Sequence, residues 1–401
     1  MTDDDPIMLL IAAANGLEPV GVARPLLELT ASLSPDGVPI AFFTAPATLR
    51  WVTARRGLAT STDDAGGGLS CLFRLRLATR DGKLVRLHQT LPASPEAARV
   101  AADALAQIWD VGPVTALRAN TGELLAAAPD ALWKDGLHPV VFRSGNSLPH
   151  DGLYAEAVAY WSALLGTAIS RLGEEHPDTL TIRNNLAWSH GRNGDPARAR
   201  DDLDDLLSVR RRVLGPDAVN TLATAHGVAV WTAATGDATG AAGLLRTLLD
   251  DCRRVLGHDH RDTLNTRLAL AGLLSETESP RAAVDELRLV LRDYQRVLGY
   301  DDPETLDVDL ELIRALAAAG SVDEALSRME RLVADFYRVL GPGAQDTLRA
   351  RYLLADLRAA AGHPSAALSD MRHLLADVLR THGPDRPEVT AIRSRIAHWT
   401  A

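Results

Sequence analysis

The chain has 401 residues, a formal net charge of -10 and only 4% aromatic residues. That length suits two or three domains, and the acidic balance argues against a nucleic-acid binder that uses its whole surface. The two cysteines, Cys71 and Cys252, lie far apart within apolar helical patterns, so they read as core thiols of a protein in a reducing cytoplasm. Lysine occurs only at Lys83 and Lys134, and the other basic residues are Arg, a skew that reads as GC-rich coding. The apolar run Ile7–Ala14 follows Asp3-Asp4-Asp5, lacks a basic leader and is too short to span a bilayer. No secretion signal or membrane segment is expected.

Residues 1–95 read as a small α+β domain. A helix is predicted from Pro25 to Leu33, a turn at Pro35-Asp36-Gly37, and a second helix beginning near Val38-Pro39. Gly66-Gly67-Gly68 reads as a flexible loop. A further helix runs into a hairpin whose turn is Asp81-Gly82, with Leu84-Val85-Arg86-Leu87-His88 alternating like a strand. Helices followed by a small hairpin describe a winged helix. Between Leu49 and Thr90 stand Arg50, Arg55, Arg56, Arg74, Arg76, Arg80, Lys83 and Arg86 against Asp63, Asp64 and Asp81. On a winged helix that excess can meet DNA, although an Arg-rich interface with an acidic protein is the preferred reading. The candidate contacts are Arg55, Arg56, Arg86 and His88. Residues 96–150 read as a helical linker, in which Ser144-Gly145-Asn146-Ser147 is a turn signal with no partner pattern for a nucleophile.

From residue 151 to 401 the chain repeats. Leu-Gly recurs at Leu172-Gly173, Leu214-Gly215, Leu256-Gly257, Leu298-Gly299 and Leu340-Gly341, each step being 42 residues, with a degraded copy at His382-Gly383. Thr-Leu follows in phase from Thr179-Leu180 to Thr347-Leu348, and a small residue recurs at Ala199, Ala241, Ala283, Ala325 and Ala367. Each unit splits in two. The first half, Pro177 to His190 in the first unit, opens with Asp178 and its equivalents Asn220, Asp262, Glu304 and Asp346, suited to the positive end of a helix dipole. It closes at Gly194, Gly236, Gly320 and Gly362, where a left-handed residue ends a helix; Glu278-Ser279-Pro280 replaces the glycine in the third unit. The second half, Pro196 to Val213, carries Ala199, Leu203, Leu206, Leu207, Arg210 and Val213 on one stripe. Helix, turn, helix in strict register is an α-solenoid of about six hairpins. Asp151 to Arg171 forms a leading half-unit, and Asp385 to His398 caps the end.

The chemistry of an enzyme is not evident. His258 and His260 sit in the Leu-Gly loop, where His176, Asp302 and Ala344 replace His260 in other units, so they read as helix-cap variation and not as a ligand set. No H-E-x-x-H, C-x-x-C or G-x-S-x-G string occurs. The acidic pairs Asp201-Asp202, Asp204-Asp205 and Asp250-Asp251 fall on polar helix faces. No catalytic residue, cofactor or metal is expected.

Two resemblances sharpen this reading. "LGEEHPDTLTIRNNLA", followed by "GDPARA", resembles the long tetratricopeptide repeat of the kinesin light chain type, over about residues 152–398. In that family the Asn before Leu-Ala faces the concave groove and contacts extended peptides. Asn185 matches it, while Gly227, Ala269, Glu311 and Leu353 stand in the other units, so the asparagine ladder is lost. Two residues earlier, Arg183, Arg267 and Arg351 recur, interrupted by Ala225 and Asp309. Arg clamps carboxylates in a bidentate manner, which points to an acidic partner segment; exposed helix charge is the alternative. Trp188 and Trp231 lie on first helices in different slots. The candidate groove residues are Arg183, Asn184, Asn185, Trp188, Arg267 and Arg351.

"LEPVGVARPLLELTASLSPDGVPIAFF" and then "VRLHQTL" resembles the winged-helix segment of actinobacterial STAND regulators, NB-ARC-type signalling ATPases with tetratricopeptide sensors. Val85, His88 and Gln89 match its signature, and Leu148-Pro149-His150 fits its linker. In the family this histidine is linked to the nucleotide-bound state; here it packs locally or keeps an interdomain contact. The chain contains no G-x-x-x-x-G-K-[ST] string to cradle phosphates, so ATP binding is not carried over. The implied protein is a non-enzymatic sensor or scaffold in signalling or transcriptional regulation. It would bind a protein or peptide in its groove and relay this through residues 96–150. The alternatives are a DNA-binding regulator and the sensor subunit of a separate ATPase chain.

Overall fold

A computed structural model describes residues 6–88, 91–384 and 387–400. The chain forms two compact units, residues 1–195 and 196–401.

The first unit begins with α1 (Pro6–Gly16), α2 (Ala23–Thr30), β1 (Val38–Pro39) and a 3-10 turn over Ile40–Thr44. Then come α3 (Pro46–Arg56), α4 (Thr62–Arg74), β2 (Ala78–Asp81) and β3 (Leu84–Leu87). The three strands are antiparallel in the order β1-β3-β2. Val38 and Pro39 therefore do not start a helix. Val38 lies opposite Val85, both are buried, and the Ile40 N–H donates to the Lys83 carbonyl at 2.9 Å. Pro39 is tolerated because β1 is an edge strand. The helix begins instead at Pro46, where a missing N–H costs nothing.

The Gly66–Gly68 run is also not a loop: it lies inside α4. Ser61 and Asp64 start this helix with a reciprocal capping box. Glycine is a poor helix former, but here the neighbours require it. A Cβ at Gly67 would stand 2.6 Å from Pro19 Cδ, and one at Gly68 2.4 Å from Val22 Cγ1. The expected hairpin is present, with Gly82 at φ +57 in its turn.

The first unit continues through α5 (Pro95–Gln107), α6 (Val114–Ala127), α7 (Pro129–Leu132) and α8 (Pro139–Ser147) to α9 (Tyr154–Leu172) and α10 (Pro177–Arg192). One hydrophobic core runs through it, from Ile11 by way of Phe42, Phe43, Leu105 and Val140 to Trp161 and Ile182. Asn120 on α6 is fully buried. Its Oδ1 accepts from the Ser34 N–H at 3.1 Å, and its Nδ2 donates to the Gly37 carbonyl at 2.9 Å. One carboxamide thus pins the turn before β1 to a helix more than eighty residues away. Ser144–Ser147 is helical, contrary to its turn-like composition, because Gly145 is set by a close packing contact and not by a bend.

The second unit is a run of helical hairpins: α11 (Pro196–Val213), α12 (Val219–Ala234), α13 (Ala238–Leu256), α14 (Arg261–Thr277), α15 (Pro280–Val297), α16 (Pro303–Ala318), α17 (Val322–Leu340), α18 (Gln345–Ala360), α19 (Pro364–His382) and α20 (Pro387–Thr400). The recurring alanines are buried at every step, so neighbouring helices approach closely. The Leu-Gly glycines sit at φ +83 to +97, a conformation that ends the helix before each. Both cysteines are free and buried. Arg210 shares its slot with Cys252, Tyr294, Phe336 and Val378 and is likewise buried. It donates to the Asn220 carbonyl at 2.9 Å and to Thr224 Oγ1 at 2.6 Å.

The loop histidines cap helices. His176 Nδ1 accepts from the Asp178 N–H and His260 Nδ1 from the Asp262 N–H; Asp302 does the same for Glu304. A second period, in charge, accompanies the apolar one. Arg254, Arg296 and Arg338 reach Asp217, Asp259 and Asp301 in the preceding loops at 2.6–2.7 Å. Among the described residues no helix is long and apolar enough to cross a membrane.

Candidate functional site

A cleft of about 200 Å³ opens in the first unit between α8, the following 3-10 turn Pro149–Asp151 and α10, with α9 as its floor. Asn146 lies 42 residues before Trp188, so α8 occupies the place of a first helix one period ahead of the first full repeat. The half-unit predicted before the repeats therefore has a partner helix of its own. The Asn185 Nδ2 donates to Asn146 Oδ1 at 3.1 Å, which joins the two first-type helices across the cleft.

The floor is Trp161, which is 1% exposed. Phe142 lies 6.0 Å from it, and Tyr160 meets it edge-on at 5.2 Å. Gly145 makes room for this indole: a Cβ there would lie 2.2 Å from Trp161 Cζ2. The Tyr160 hydroxyl donates to the Val141 carbonyl at 2.8 Å, and burial pushes its pKa well above the usual phenol range. The end of α8 is held by Arg118, which donates to the Ser147 carbonyl at 3.2 Å and pairs with Asp151. Trp188 and Ser189 form the α10 wall, with Ser189 Oγ bonded back to the Asn185 carbonyl at 2.7 Å. His150 and Arg192 stand exposed at the mouth.

Of the residues singled out by sequence, Asn185 and Trp188 line this cleft. Arg183 and Asn184 are half-buried on the same helix and do not line it. Arg267 and Arg351, in the second unit, are committed to partners on the second helix of their own hairpins. Arg267 meets Glu286 at 2.5 Å and Asp293 at 2.7 Å, and Arg351 meets Asp377 at 2.8 Å. Where Asp309 takes this slot the partner is Arg328, so the charges exchange and the bridge remains. Burial raises the Asp309 pKa, and Arg328 opposes the rise. The slot is thus an inter-helix ion pair. Sequence reasoning passed over Asn146 and Arg192; extending the 42-residue register one step toward the N-terminus points to Asn146.

The arginines of the front region are also engaged. Arg55 stacks 3.9 Å above the Trp51 ring and pairs with Glu96 at 3.2 Å and Glu28 at 3.6 Å. Arg56 donates to the Val20 carbonyl at 2.8 Å and lies 3.5 Å from Asp64. Arg86 pairs with Asp81 at 3.0 Å and donates to the Asp36 carbonyl. The His88 N–H extends the hairpin to the Leu77 carbonyl at 2.9 Å, and Gln89 lies outside the described residues. The exposed side of α4 offers Thr62, Asp63, Gly66, Ser70 and Arg74, a nearly neutral surface.

The tetratricopeptide repeat family model matches residues 179–217, 221–262 and 263–304. A search of curated proteins found no match. Among solved structures, the chain is similar to a Podosopora anserina protein described as a kinesin light chain with nearly identical TPR-like repeats (23% identity, 51% of this chain and 96% of that one, TM-score 0.41). It is also similar to a STAND protein with a tetratricopeptide repeat sensor from Pyrococcus horikoshii (11% identity, 100% and 62%, TM-score 0.44). A third similar structure is a Rap protein complexed with competence and sporulation factor (8% identity, 84% and 92%, TM-score 0.46). The hairpins that the family model covers are tetratricopeptide repeats, the units of a protein-interaction scaffold.

Proposed function

We propose that this protein is a non-enzymatic peptide- or protein-binding module of a signalling or regulatory system, and that its head cleft is the recognition site. The carrying observation is the Asn146–Asn185 pair, which spans two adjacent first-type helices over an aromatic floor. Each carboxamide has a further donor and acceptor beyond this bond, chemistry that suits an extended backbone with one N–H and one C=O per residue to satisfy. The front region acts as a winged-helix joint; its order of helix, strand, two helices and hairpin supports that assignment. The single core from Ile11 to Ile182 supports a relay from cleft to front region. Direct DNA contact is disfavoured by the carboxylate partners of Arg55, Arg56 and Arg86.

The test is titration of a selected peptide ligand into the full chain and its Asn185→Ala variant. Loss of binding with an unchanged circular dichroism spectrum is expected. Salt-sensitive retention on duplex DNA that disappears on Arg55→Ala and Arg56→Ala would replace this reading with a DNA-binding one.

A further inference from the structure

The hairpin of β2 and β3 leaves one edge open. The strand order is β1-β3-β2, so β2 has a partner on one side only. The His88 N–H bonds the Leu77 carbonyl, and bonded pairs alternate along an antiparallel ladder, which makes Leu77/His88, Thr79/Arg86 and Asp81/Leu84 the bonded pairs. Arg80, and Ala78 before it, therefore point their N–H and C=O groups away from β3, and among the described residues nothing bonds them. On this strand and its two approaches stand Arg74, Arg76, Arg80 and Lys83, all exposed. Arg80 bonds only the Gly82 carbonyl, at 3.1 Å, and none of the four meets a carboxylate among the described residues, while Asp81 is taken by Arg86. Arginines without an acid occur elsewhere, as at Arg50, Arg183 and Arg281, but not as a cluster like that over residues 74–83.

Arg76 adds an independent sign. It follows α4 at a φ of +55, the one non-glycine residue with positive φ among the described residues. Its N–H bonds the Phe73 carbonyl at 3.1 Å, and the Leu77 N–H bonds the Leu72 carbonyl at 2.9 Å, the helix-ending pattern in which glycine is the favoured left-handed residue. A side chain here costs conformational energy, and this one makes no side-chain bond within the described chain that offsets it. Charge alone guards an edge strand against aggregation, but that task does not require a left-handed position.

We propose that β2 accepts an acidic extended segment of a partner protein as a fourth strand. Its backbone bonds to Arg80 and Ala78, and its carboxylates meet Arg74, Arg76, Arg80 and Lys83. Strand addition needs a free edge, and a guanidinium presents parallel N–H donors that match a carboxylate. Nucleic acid would satisfy the charges but has no peptide ladder to offer the edge. This surface lies outside the head cleft and does not rest on the peptide-binding reading given for it.

The probe is a random heptapeptide phage library panned on the full chain, keeping clones whose capture is lost on Arg80→Pro. Proline suits an edge strand where its nitrogen faces outward, so circular dichroism should show the fold intact while one edge donor and one charge are gone. Enrichment of Asp and Glu in those clones is expected. The synthetic winner should lose about tenfold in affinity on Arg80→Pro and less on Arg80→Ala, which removes the charge alone. N-methylation of alternate residues in the winner deletes the ladder from the peptide's side and should cost as much with no change to the chain. Arg76→Gly should raise the melting temperature yet weaken the same peptide, opposite signs that an arginine with only a structural role would not give. Clones without acidic preference overturn the charge assignment, and an N-methylated winner that binds undiminished overturns the strand. Capture that is also lost on Asn185→Ala places the peptide in the cleft and overturns the proposal. So does failure to recover any clone that depends on Arg80, and salt-sensitive retention of duplex DNA that Lys83→Ala weakens would then assign the patch to nucleic acid.

Discussion

The front region and the repeat hairpins are both helical, yet they are held in opposite ways. In the hairpins a residue's partners lie on its own hairpin, in the preceding loop or on the adjacent hairpin, as with Arg267 and Glu286, Arg296 and Asp259, or Arg288 and Glu324. In the front region they are distant in sequence: Gly68 fits against Val22, Asn120 bonds Ser34 and Gly37, and Val38 pairs with Val85. Local contacts repeat and tolerate variation, since every unit rebuilds them. Distant contacts are made once and depend on particular residues.

The same chemical change should therefore have opposite signs in the two regions. Gly68→Ala and Gly145→Ala each drive a methyl into a side chain 2.4 Å and 2.2 Å away, respectively. Thermal melting should show a loss of about 1–3 kcal/mol, the usual cost of overpacking a tight core, and tryptophan fluorescence should shift for Gly145→Ala as Trp161 moves. Gly272→Ala, in the interior of α14 with nothing within 4 Å of its Cβ position, should gain about 0.5–1 kcal/mol through helix propensity and unfolded-state entropy. A loss at Gly272 would break the comparison. Asn120→Ala comes next. It strands the buried Ser34 N–H and Gly37 carbonyl, each costing about 1–3 kcal/mol without a partner, and it should speed hydrogen exchange around residues 34–39 more than in the repeats.

This difference also decides what could be read from the sequence. The hairpins were legible because no insertion disturbs the 42-residue register, so loops, caps and buried alanines align by position alone. The positions of the arginines at 267 and 351 were legible too, but not their directions. A helix residue on the flank of a groove can turn outward or toward its partner helix, and only the acids at 286, 293 and 377 settle which. The head cleft was half legible. Asn185 and Trp188 carry the repeat's pattern, whereas Asn146 lies in a string that resembles a turn because Gly145 answers to Trp161, sixteen residues later. The two-residue strand at Val38-Pro39 and the helical glycines of α4 failed for the same reason: their cause lies in a partner that local pattern does not contain.

Two titrations sharpen the comparison. In the front unit, His138 caps α8. Its Nδ1 accepts from the Val140 N–H at 3.2 Å, and its Nε2 meets Asp103 at 3.1 Å. Burial lowers its pKa from 6.5; the Arg99 charge adds to this, and Asp103 opposes it. The unfolded chain then takes up the proton first as pH falls. The contribution of the neutral ring is complete above about 6.5 and is lost as pH drops through 6.5 toward the folded value. The melting temperature of the full chain should fall as pH drops below 6.5, and His138→Gln should flatten that dependence.

The smaller effect lies in the repeats and runs the other way. Asp307 on α16 is exposed, yet its pKa is pushed up to about 6, first by desolvation and then by Asp346, Glu311 and Glu304, with Arg349 opposing. A carboxyl that is harder to ionise when folded destabilises the fold once it is ionised. The penalty is absent below about 3.8, grows as pH rises between 3.8 and 6, and is full above 6. Asp307→Asn should therefore raise the melting temperature slightly at pH 7, where solvent screening keeps the gain small, and leave it unchanged at pH 3.5. A gain of the same size at both pH values would mean that the amide improves packing. Charge crowding would then not be what distinguishes this repeat from its neighbours, which carry Asn265 and Arg349 in the same slot.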